Sequence, residues 1–184
     1  LLPDWLSAGS KLKILHVYPN LSRIIGIFLI HYKNMMATGT SNIYLIGYRC
    51  TGKTSVGKIL SYILGWTFAD TDSLIQEKMN QSISEIIHNQ GWDYFRAVEK
   101  KTLMELALVK DYIISTGGGI ILDSENRRFL KQTGTTVWLD AEEQVILERM
   151  IADPNTIATR PSLTPKEPKD EIQYLMNARH RFYL

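Results

Sequence analysis

"NIYLIGYRCTGKTSVGKILSYIL", residues 42–64, decides how this chain of 184 residues folds. Its centre carries the pattern G-x-x-x-x-G-K-[ST], formed by Gly47, Gly52, Lys53 and Thr54. Residues at this spacing form a loop whose backbone N–H groups surround a phosphate, with a lysine for the outer phosphates and a hydroxyl for Mg²⁺. The pattern therefore predicts a phosphate-binding loop, which by itself fits a kinase, a hydrolase or a GTP-dependent switch.

The residues on either side supply the context that this motif requires. Residues 42–47 are a short β-rich run that ends in glycine, and residues 53–64 have the period of an amphipathic helix. The apolar positions of that helix are Val56, Ile59, Leu60, Ile63 and Leu64. A loop between a strand and a helix argues against a chance match, because the helix N-terminus adds positive charge beside the phosphate.

The rest of the chain alternates between strands and helices. Further strands are predicted at 66–70, 112–116 and 135–140, and helices at 72–79, 82–89, 93–109, 124–132, 141–151 and 170–183. This alternation predicts an α/β fold in three layers, with a parallel sheet covered by helices on both faces. Residues 152–170 contain four prolines, and a loop of that length is typical of an active-site lid.

Composition narrows the class of protein. Hydrophobic residues make up 45% of the chain and charged residues 22%, which is ordinary for a soluble globular domain. The net charge of +2 is too small to indicate nucleic acid binding. The single cysteine, Cys50, excludes an internal disulfide and suits a reducing compartment. We therefore expect a cytoplasmic protein that binds neither nucleic acid nor membrane. A monomeric state is also expected, although composition does not determine it.

Residues 1–36 are interpreted as an N-terminal extension of uncertain status, with the domain at 37–184. The chain begins with Leu, and Met35 and Met36 stand just before the domain. The apolar run between Arg23 and His31 is shorter than the roughly 20 residues that span a bilayer, and the segment fits a signal peptide poorly. A peripheral amphipathic helix is the alternative for this extension.

Further chemistry is predicted at the carboxyl ends of the strands, which meet at one edge of a parallel sheet. Asp70 and Asp72 follow the second strand, and the glycines 117–119 follow the third. Alternate residues of an extended chain face the same side, so we expect both carboxylates to face the site. One could support Mg²⁺ through water, and the other could bind a substrate hydroxyl. Alternatively, Asp72 only caps the next helix.

Two arginines indicate an anionic partner. Arg96 and Glu99 are neighbours at i and i+3 beside aromatic residues, an arrangement that prepares the guanidinium for a carboxylate, although a surface ion pair is the alternative. In the last helix Arg179 shares the apolar stripe, so it points inward and needs an anion, whereas Arg181 points away. Two inward arginines, an aspartate and a close glycine turn predict a small, hydroxylated carboxylic acid as phosphoryl acceptor.

Taken in order, these motifs resemble the shikimate kinase family of P-loop kinases, which are similar to nucleoside monophosphate kinases. After the phosphate loop come "FADTD" (68–72), "GWDYFRAVE" (91–99), "TGGG" (116–119), "RPSL" (160–163) and the inward Arg179. The resemblance covers roughly residues 40–184. It implies a P-loop three-layer sandwich that transfers the γ-phosphate of ATP to the 3-hydroxyl of shikimate, with Mg²⁺, in the chorismate pathway of aromatic amino-acid biosynthesis.

The resemblance also implies roles for individual residues. ATP would be bound by Arg160 and by the loop residues Gly47, Tyr48, Arg49, Cys50, Thr51, Gly52, Lys53, Thr54 and Ser55. Thr54 would bind Mg²⁺, and Asp70 would support the ion through water. Shikimate would be bound by Asp72, Arg96, Glu99, Gly117, Gly118, Gly119 and Arg179. Lys53, Asp72 and Arg160 would be the catalytic residues.

The sequence departs from the family pattern at two places. Ser162 interrupts the usual leucine-rich run after the lid Arg-Pro, and the chain stops at Leu184, where the family continues into a fifth strand. We therefore expect four strands, a C-terminally truncated domain and an incomplete adenine pocket. The alternatives are another small-molecule P-loop kinase such as a gluconate kinase, a nucleoside monophosphate kinase, or an inactive kinase-like binding module.

Overall fold

The computed structural model describes residues 42–153, residue 164 and residues 167–183. Within these ranges the chain forms four strands, six α-helices and one 3₁₀ helix. In chain order they are β1 (Asn42–Ile46), α1 (Lys53–Leu64), β2 (Thr67–Asp70), α2 (Thr71–Met79), α3 (Ile83–Leu106), β3 (Tyr112–Ser115), the 3₁₀ helix (Ile120–Leu122), α4 (Ser124–Thr133), β4 (Thr135–Trp138), α5 (Glu143–Ala152) and α6 (Pro168–Tyr183). The extension at 1–36, Arg160 and most of the expected lid lie outside the described residues. No helix of the described part combines the length and the apolarity that a membrane span requires.

The four strands form one parallel sheet in the order β2-β3-β1-β4. This confirms the predicted α/β fold and the four expected strands of the described part. The central strand, β1, is buried along its whole length, as its almost continuous apolar sequence requires. Ser115 of β3 pairs with both Leu45 and Asp70, so three neighbouring strands end at the same level. The segments that follow these strands therefore start side by side.

The two faces of the sheet bury alternate residues of β1. On one face Tyr44 and Ile46 join a core cluster with Leu103 of α3 and Leu130 of α4. On the other face α1 lies close to the sheet at Gly57. A β-carbon there would come within 2.4 Å of the Phe68 ring and 3.2 Å of the Leu45 side chain. A glycine at this position therefore lets α1 approach the strands closely.

Local sequence signals explain where the helices begin and end. Gly52 and Gly65 bracket α1 with left-handed φ angles of 95° and 69°, which confirms the predicted helix at 53–64. Ser82 and Glu85 form a capping box at the start of α3. The range Ile83–Leu106 consists of two helical segments separated at Gly91, where φ is 84° and ψ is 169°, so the break between the helices predicted at 82–89 and 93–109 is confirmed; the second segment ends at Leu106.

The core of the sheet makes a first prediction about stability. Leu103 is completely buried, and Leu103→Ala should lower the free energy of unfolding by about 2–5 kcal/mol, because it removes apolar contacts and leaves a cavity. Met104, its neighbour in α3, is 42% exposed, and Met104→Ala should change the free energy by no more than about 0.5 kcal/mol. Urea denaturation of both variants measures the difference, and equal losses would contradict this account of the core.

Candidate functional site

The phosphate loop, residues 47–54, connects β1 to α1 as predicted. Its shape is held by its own side chains: Thr51 Oγ1 donates to the carbonyl of Tyr48 over 2.8 Å. Lys53 Nζ donates to the carbonyl oxygens of Gly47 and Tyr48 over 3.0 and 2.7 Å. The buried Lys53 ammonium therefore lies inside the curve of the loop, beside the backbone amides that would surround a phosphate.

Asp70 and Asp72 have different environments, and the reason given for pairing them is wrong. The chain enters α2 directly after β2, so Asp72 lies in the first helical turn and does not continue an extended strand. Asp70 is the helix cap: its Oδ1 accepts from the backbone N–H groups of Asp72 and Ser73 over 3.1 and 3.3 Å. The alternative in which Asp72 caps the helix is therefore also wrong. Asp72 is buried and faces a pocket beside the phosphate loop.

Thr54 and Asp70 provide oxygen atoms that suit Mg²⁺. Thr54 Oγ1 lies 3.1 Å from Asp70 Oδ2, at the start of α1. Mg²⁺ prefers oxygen ligands and usually keeps several waters or phosphate oxygens around a small number of protein groups. Among the described residues no cluster of three or more His, Cys, Asp or Glu side chains could hold an ion alone. The residues present therefore fit an ion that arrives with a phosphate.

A second concave region, here called the side pocket, opens next to the phosphate loop. It combines apolar and aromatic side chains with three arginines and two carboxylates. Its lining residues are Tyr48, Arg49, Asp72, Ile83, Ile87, Trp92, Phe95, Arg96, Glu99, Gly117, Gly118, Gly119 and Arg179. Concave sites with a few convergent polar groups are typical of small-molecule binding. The structure thus brings together, in one pocket, all the residues that the sequence analysis assigned to the acceptor.

Arg96 is oriented by a buried carboxylate and by aromatic rings. Its Nη1 lies 2.6 Å from Glu99 Oε2, and its guanidinium carbon lies 5.2 Å from the ring centres of Trp92 and Phe95. The Glu99 side chain is only 1% exposed, so the alternative of a surface ion pair is wrong. Burial raises the pKa of Glu99, and the Asp72 carboxylate raises it further, against the opposing effect of Arg96.

The glycine turn after β3 is needed for close approach. A β-carbon at Gly117 would lie 2.3 Å from Glu99 Oε1 and 2.8 Å from Asp72 Oδ1. A β-carbon at Gly119 would lie 2.4 Å from both terminal nitrogens of Arg96. Any larger residue at either position would displace the charged side chains that line the pocket. The turn therefore sets how closely the two carboxylates and Arg96 can converge.

Arg179 points into the side pocket from α6, as predicted. It is 6% exposed and donates from Nη1 to the carbonyl of Gly118 over 3.1 Å, whereas Arg181 is exposed. Burial lowers the pKa of Arg179, and the nearby positive charges of Arg96 and Arg49 lower it further. The ion pairs of the described residues involve Arg96 and Arg49 but not Arg179. Its charge is therefore positioned for an anionic ligand.

Two contacts of the site were not found from the sequence. Arg49, assigned to the nucleotide, lines the side pocket and forms a buried ion pair with Glu171 of α6. Arg149 of α5 donates to the carbonyl of Cys50 over 3.0 Å. A signal for Glu171 did exist, because it stands four and eight residues before Leu175 and Arg179 on the inward stripe of α6. A glutamate on such a stripe needs a buried cation.

Comparisons with known proteins agree with this geometry. The family model for shikimate kinase matches residues 49–184. Shikimate kinase 2 of Photorhabdus laumondii is 40% identical over 141 residues, which are 77% of this chain and 80% of that protein. The shikimate kinase of Nitratidesulfovibrio vulgaris is 36% identical over 80% of this chain and 84% of its own length. The solved structure of Acinetobacter baumannii shikimate kinase in complex with shikimate superimposes with a TM-score of 0.72, at 36% identity and 78% coverage of both chains.

The raised pKa of Glu99 predicts a dependence of stability on pH. The folded protein holds the Glu99 proton more tightly than the unfolded chain, whose ordinary value is 4.5. The stability that this proton contributes is complete below that value, and it is lost as the pH rises through the pKa of the folded state. Glu99→Gln removes this titration. We therefore expect the free energy of unfolding of the variant to rise relative to that of the wild type as the pH is raised above about 4.5.

Chemical denaturation at a series of pH values measures this difference. Glu105→Gln is the control, because the hydrogen bond from Lys78 lowers the pKa of the exposed Glu105 carboxyl and confines its titration below 4.5. The free energy of unfolding of the Glu105 variant should differ from that of the wild type by a constant amount over the same pH range. If the difference between Glu99→Gln and the wild type stays constant or falls with rising pH, the pKa of Glu99 is not raised.

Proposed function

The chain belongs to the shikimate kinase family, and we propose that it transfers the γ-phosphoryl group of ATP to the 3-hydroxyl of shikimate. One observation carries the choice of acceptor: the side pocket beside the phosphate loop combines two inward-facing arginines with the buried carboxylate of Asp72. Such a set suits a small acid that also carries hydroxyls. The A. baumannii relative has been solved with shikimate bound.

In this proposal Arg96 and Arg179 bind the carboxylate of shikimate. Arg96 can offer donors in a fixed direction because Glu99 and the aromatic rings hold its guanidinium. Arg179 contributes a charge that no described carboxylate balances by an ion pair. The glycine turn at 117–119 lets the backbone lie close to the ring of the acceptor.

Asp72 is proposed to bind the ring hydroxyls and to orient the nucleophile. The 3-hydroxyl oxygen forms a bond to the γ-phosphorus as the bond from that phosphorus to the leaving oxygen of ADP breaks, and the hydroxyl proton passes to the Asp72 carboxylate. Lys53 and the amides of the phosphate loop compensate the charge of the phosphoryl group during transfer. Positioning and charge compensation supply most of the catalysis in this class of reaction.

Thr54 and, through water, Asp70 are proposed to hold Mg²⁺ with the nucleotide. The ion would supply charge neutralisation on the phosphates. Arg160 is proposed from the sequence alone to contact the transferring phosphate, since it lies outside the described residues. A cytoplasmic location, a monomeric state, the absence of nucleic acid and membrane partners, and the assignment of residues 1–36 as an extension also stay predictions.

The alternatives are not favoured. The relatives reported above are shikimate kinases. A nucleoside monophosphate kinase would need a base pocket in place of two carboxylate-binding arginines. Gluconate is also a hydroxylated acid, so an assay with both acceptors distinguishes a gluconate kinase from a shikimate kinase. An inactive binding module would not need Asp72 and Arg96 in one pocket next to a phosphate loop that holds a buried Lys53.

A coupled assay of ADP release tests the proposed function. The wild-type protein should release ADP with ATP and shikimate but not with ATP and gluconate. Lys53→Met should lower kcat by roughly 10²–10³-fold, because it removes a charge that stabilises the departing phosphoryl group. Lys58→Ala is the matched control, because Lys58 is exposed on the same helix. Circular dichroism confirms that both variants fold, and near-native turnover by folded Lys53→Met would exclude the assignment.

The last helix provides a test of the acceptor half of the site. Arg179→Ala should weaken shikimate binding at least about tenfold, because a buried charged hydrogen bond is lost. ATP binding should barely change, since Arg179 lies outside the phosphate loop. Arg181→Ala should have little effect, because Arg181 is exposed on the same helix. Calorimetric titration of both variants with shikimate and with ATP measures these affinities. If Arg181→Ala weakened shikimate binding and Arg179→Ala did not, this half of the proposal would be wrong.

A further inference from the structure

Glu171 is a buried carboxylate that the reaction described above does not use. It lies in the first turn of α6 and is 1% exposed. The partial positive charge of the helix N-terminus stabilises a carboxylate there. It shares a helix with Arg179, and its partner is Arg49 of the phosphate loop. A carboxylate buried to this degree costs several kcal/mol unless it is paired and hydrogen-bonded.

The two oxygens of Glu171 bind two different segments. Oε1 accepts from the guanidinium of Arg49, and Oε2 accepts from the backbone N–H and Oγ1 of Thr164 over 2.8 and 3.2 Å. Thr164 stands four residues after Arg160 in the chain. One side chain therefore connects the phosphate loop, the segment at residue 164 and the last helix.

The ion pair changes the charge balance of the side pocket. Arg49, Arg96 and Arg179 all line this pocket, and the positive charges of the first two lower the pKa of the third. Glu99 balances Arg96 and Glu171 balances Arg49. When both pairs are formed, Arg179 is the one arginine of the pocket that has no ion pair among the described residues. If Glu171 lost its charge, Arg49 would become a second such cation and would repel Arg179.

We propose that Glu171 is a positioning residue for the acceptor: it neutralises and fixes Arg49, so that Arg179 keeps its place as the cation that meets the carboxylate of shikimate. This inference rests on the proposed function. Glu171 touches neither the acceptor nor the nucleotide in this account and acts only through Arg49.

The proposal predicts that the two members of the pair depend on each other. Glu171→Gln leaves one amide oxygen to accept from two sets of donors, so either Arg49 or Thr164 loses its hydrogen bond to residue 171. Arg49→Met removes the guanidinium that Glu171 Oε1 contacts, and the charge of Glu171 would then attract Arg179 out of position. Changing both residues together removes both charges and leaves the amide oxygen of the substituted side chain available to Thr164.

The experiment measures the KM for shikimate, the KM for ATP, kcat and the melting temperature of the full chain and four variants. Glu171→Gln and Arg49→Met should each raise the KM for shikimate at least about tenfold. The double variant Arg49→Met/Glu171→Gln should have a lower KM for shikimate than either single variant, because the two changes remove both charges together. Asp170→Asn, at the exposed neighbouring position in the same turn of α6, should match the wild type.

Other outcomes overturn the proposal. A purely structural role for Glu171 would lower the melting temperature and leave the KM for shikimate unchanged. A double variant as impaired as the worse single variant would show that the pair does not act through its charge balance. If Glu171→Gln does not fold, Arg49→Met and the double variant still give the decisive comparison. Wild-type turnover with shikimate reports separately on the proposed function, so the two failures can be told apart.

Discussion

Glu99 and Glu171 each bury a carboxylate to 1% exposure, and an arginine balances each of them. An isolated charge in such surroundings would cost several kcal/mol, so the positions of Arg96 and Arg49 are closely constrained. The Arg96–Glu99 pair is local to one helix, whereas Arg49 and Glu171 are 122 residues apart. The second pair joins the first loop of the described domain to its last helix. The side pocket lies where these two pairs meet.

The sheet makes that meeting possible. Because Leu45, Ser115 and Asp70 are aligned, the phosphate loop, the glycine turn and α2 all begin at one edge of the sheet. The glycine turn then allows charged groups to approach the backbone to a distance that any β-carbon would prevent. The family reaction needs the two substrates held side by side and their charges compensated, and this edge places the phosphate loop next to the side pocket.

Much of the site could be predicted because its residues carry local signals. The phosphate loop has a fixed spacing between a strand and a helix, and Arg96 and Arg179 stand at helical positions whose direction follows from the period of 3.6. The prediction for Asp70 and Asp72 assumed that the strand continues through both residues. In the structure α2 begins at Thr71, so Asp72 is helical and the alternation of an extended strand does not apply. The break between the two helices predicted at 82–89 and 93–109 is present at Gly91, whose backbone is non-helical.

The sequence by itself determined the fold class, the boundaries of most elements, the phosphate loop and the inward direction of Arg179. Each of these depends on neighbours within a few residues, whose spacing is visible in the chain. The tertiary structure decided the order of the strands, the role of Asp70 as a helix cap, the placement of Arg49 beside the side pocket and its pairing with Glu171. Most of these contacts join residues that are distant in the chain. The periodicity of a helix or a strand shows which side chains are buried, but it does not specify which buried acid pairs with which buried base in the folded protein.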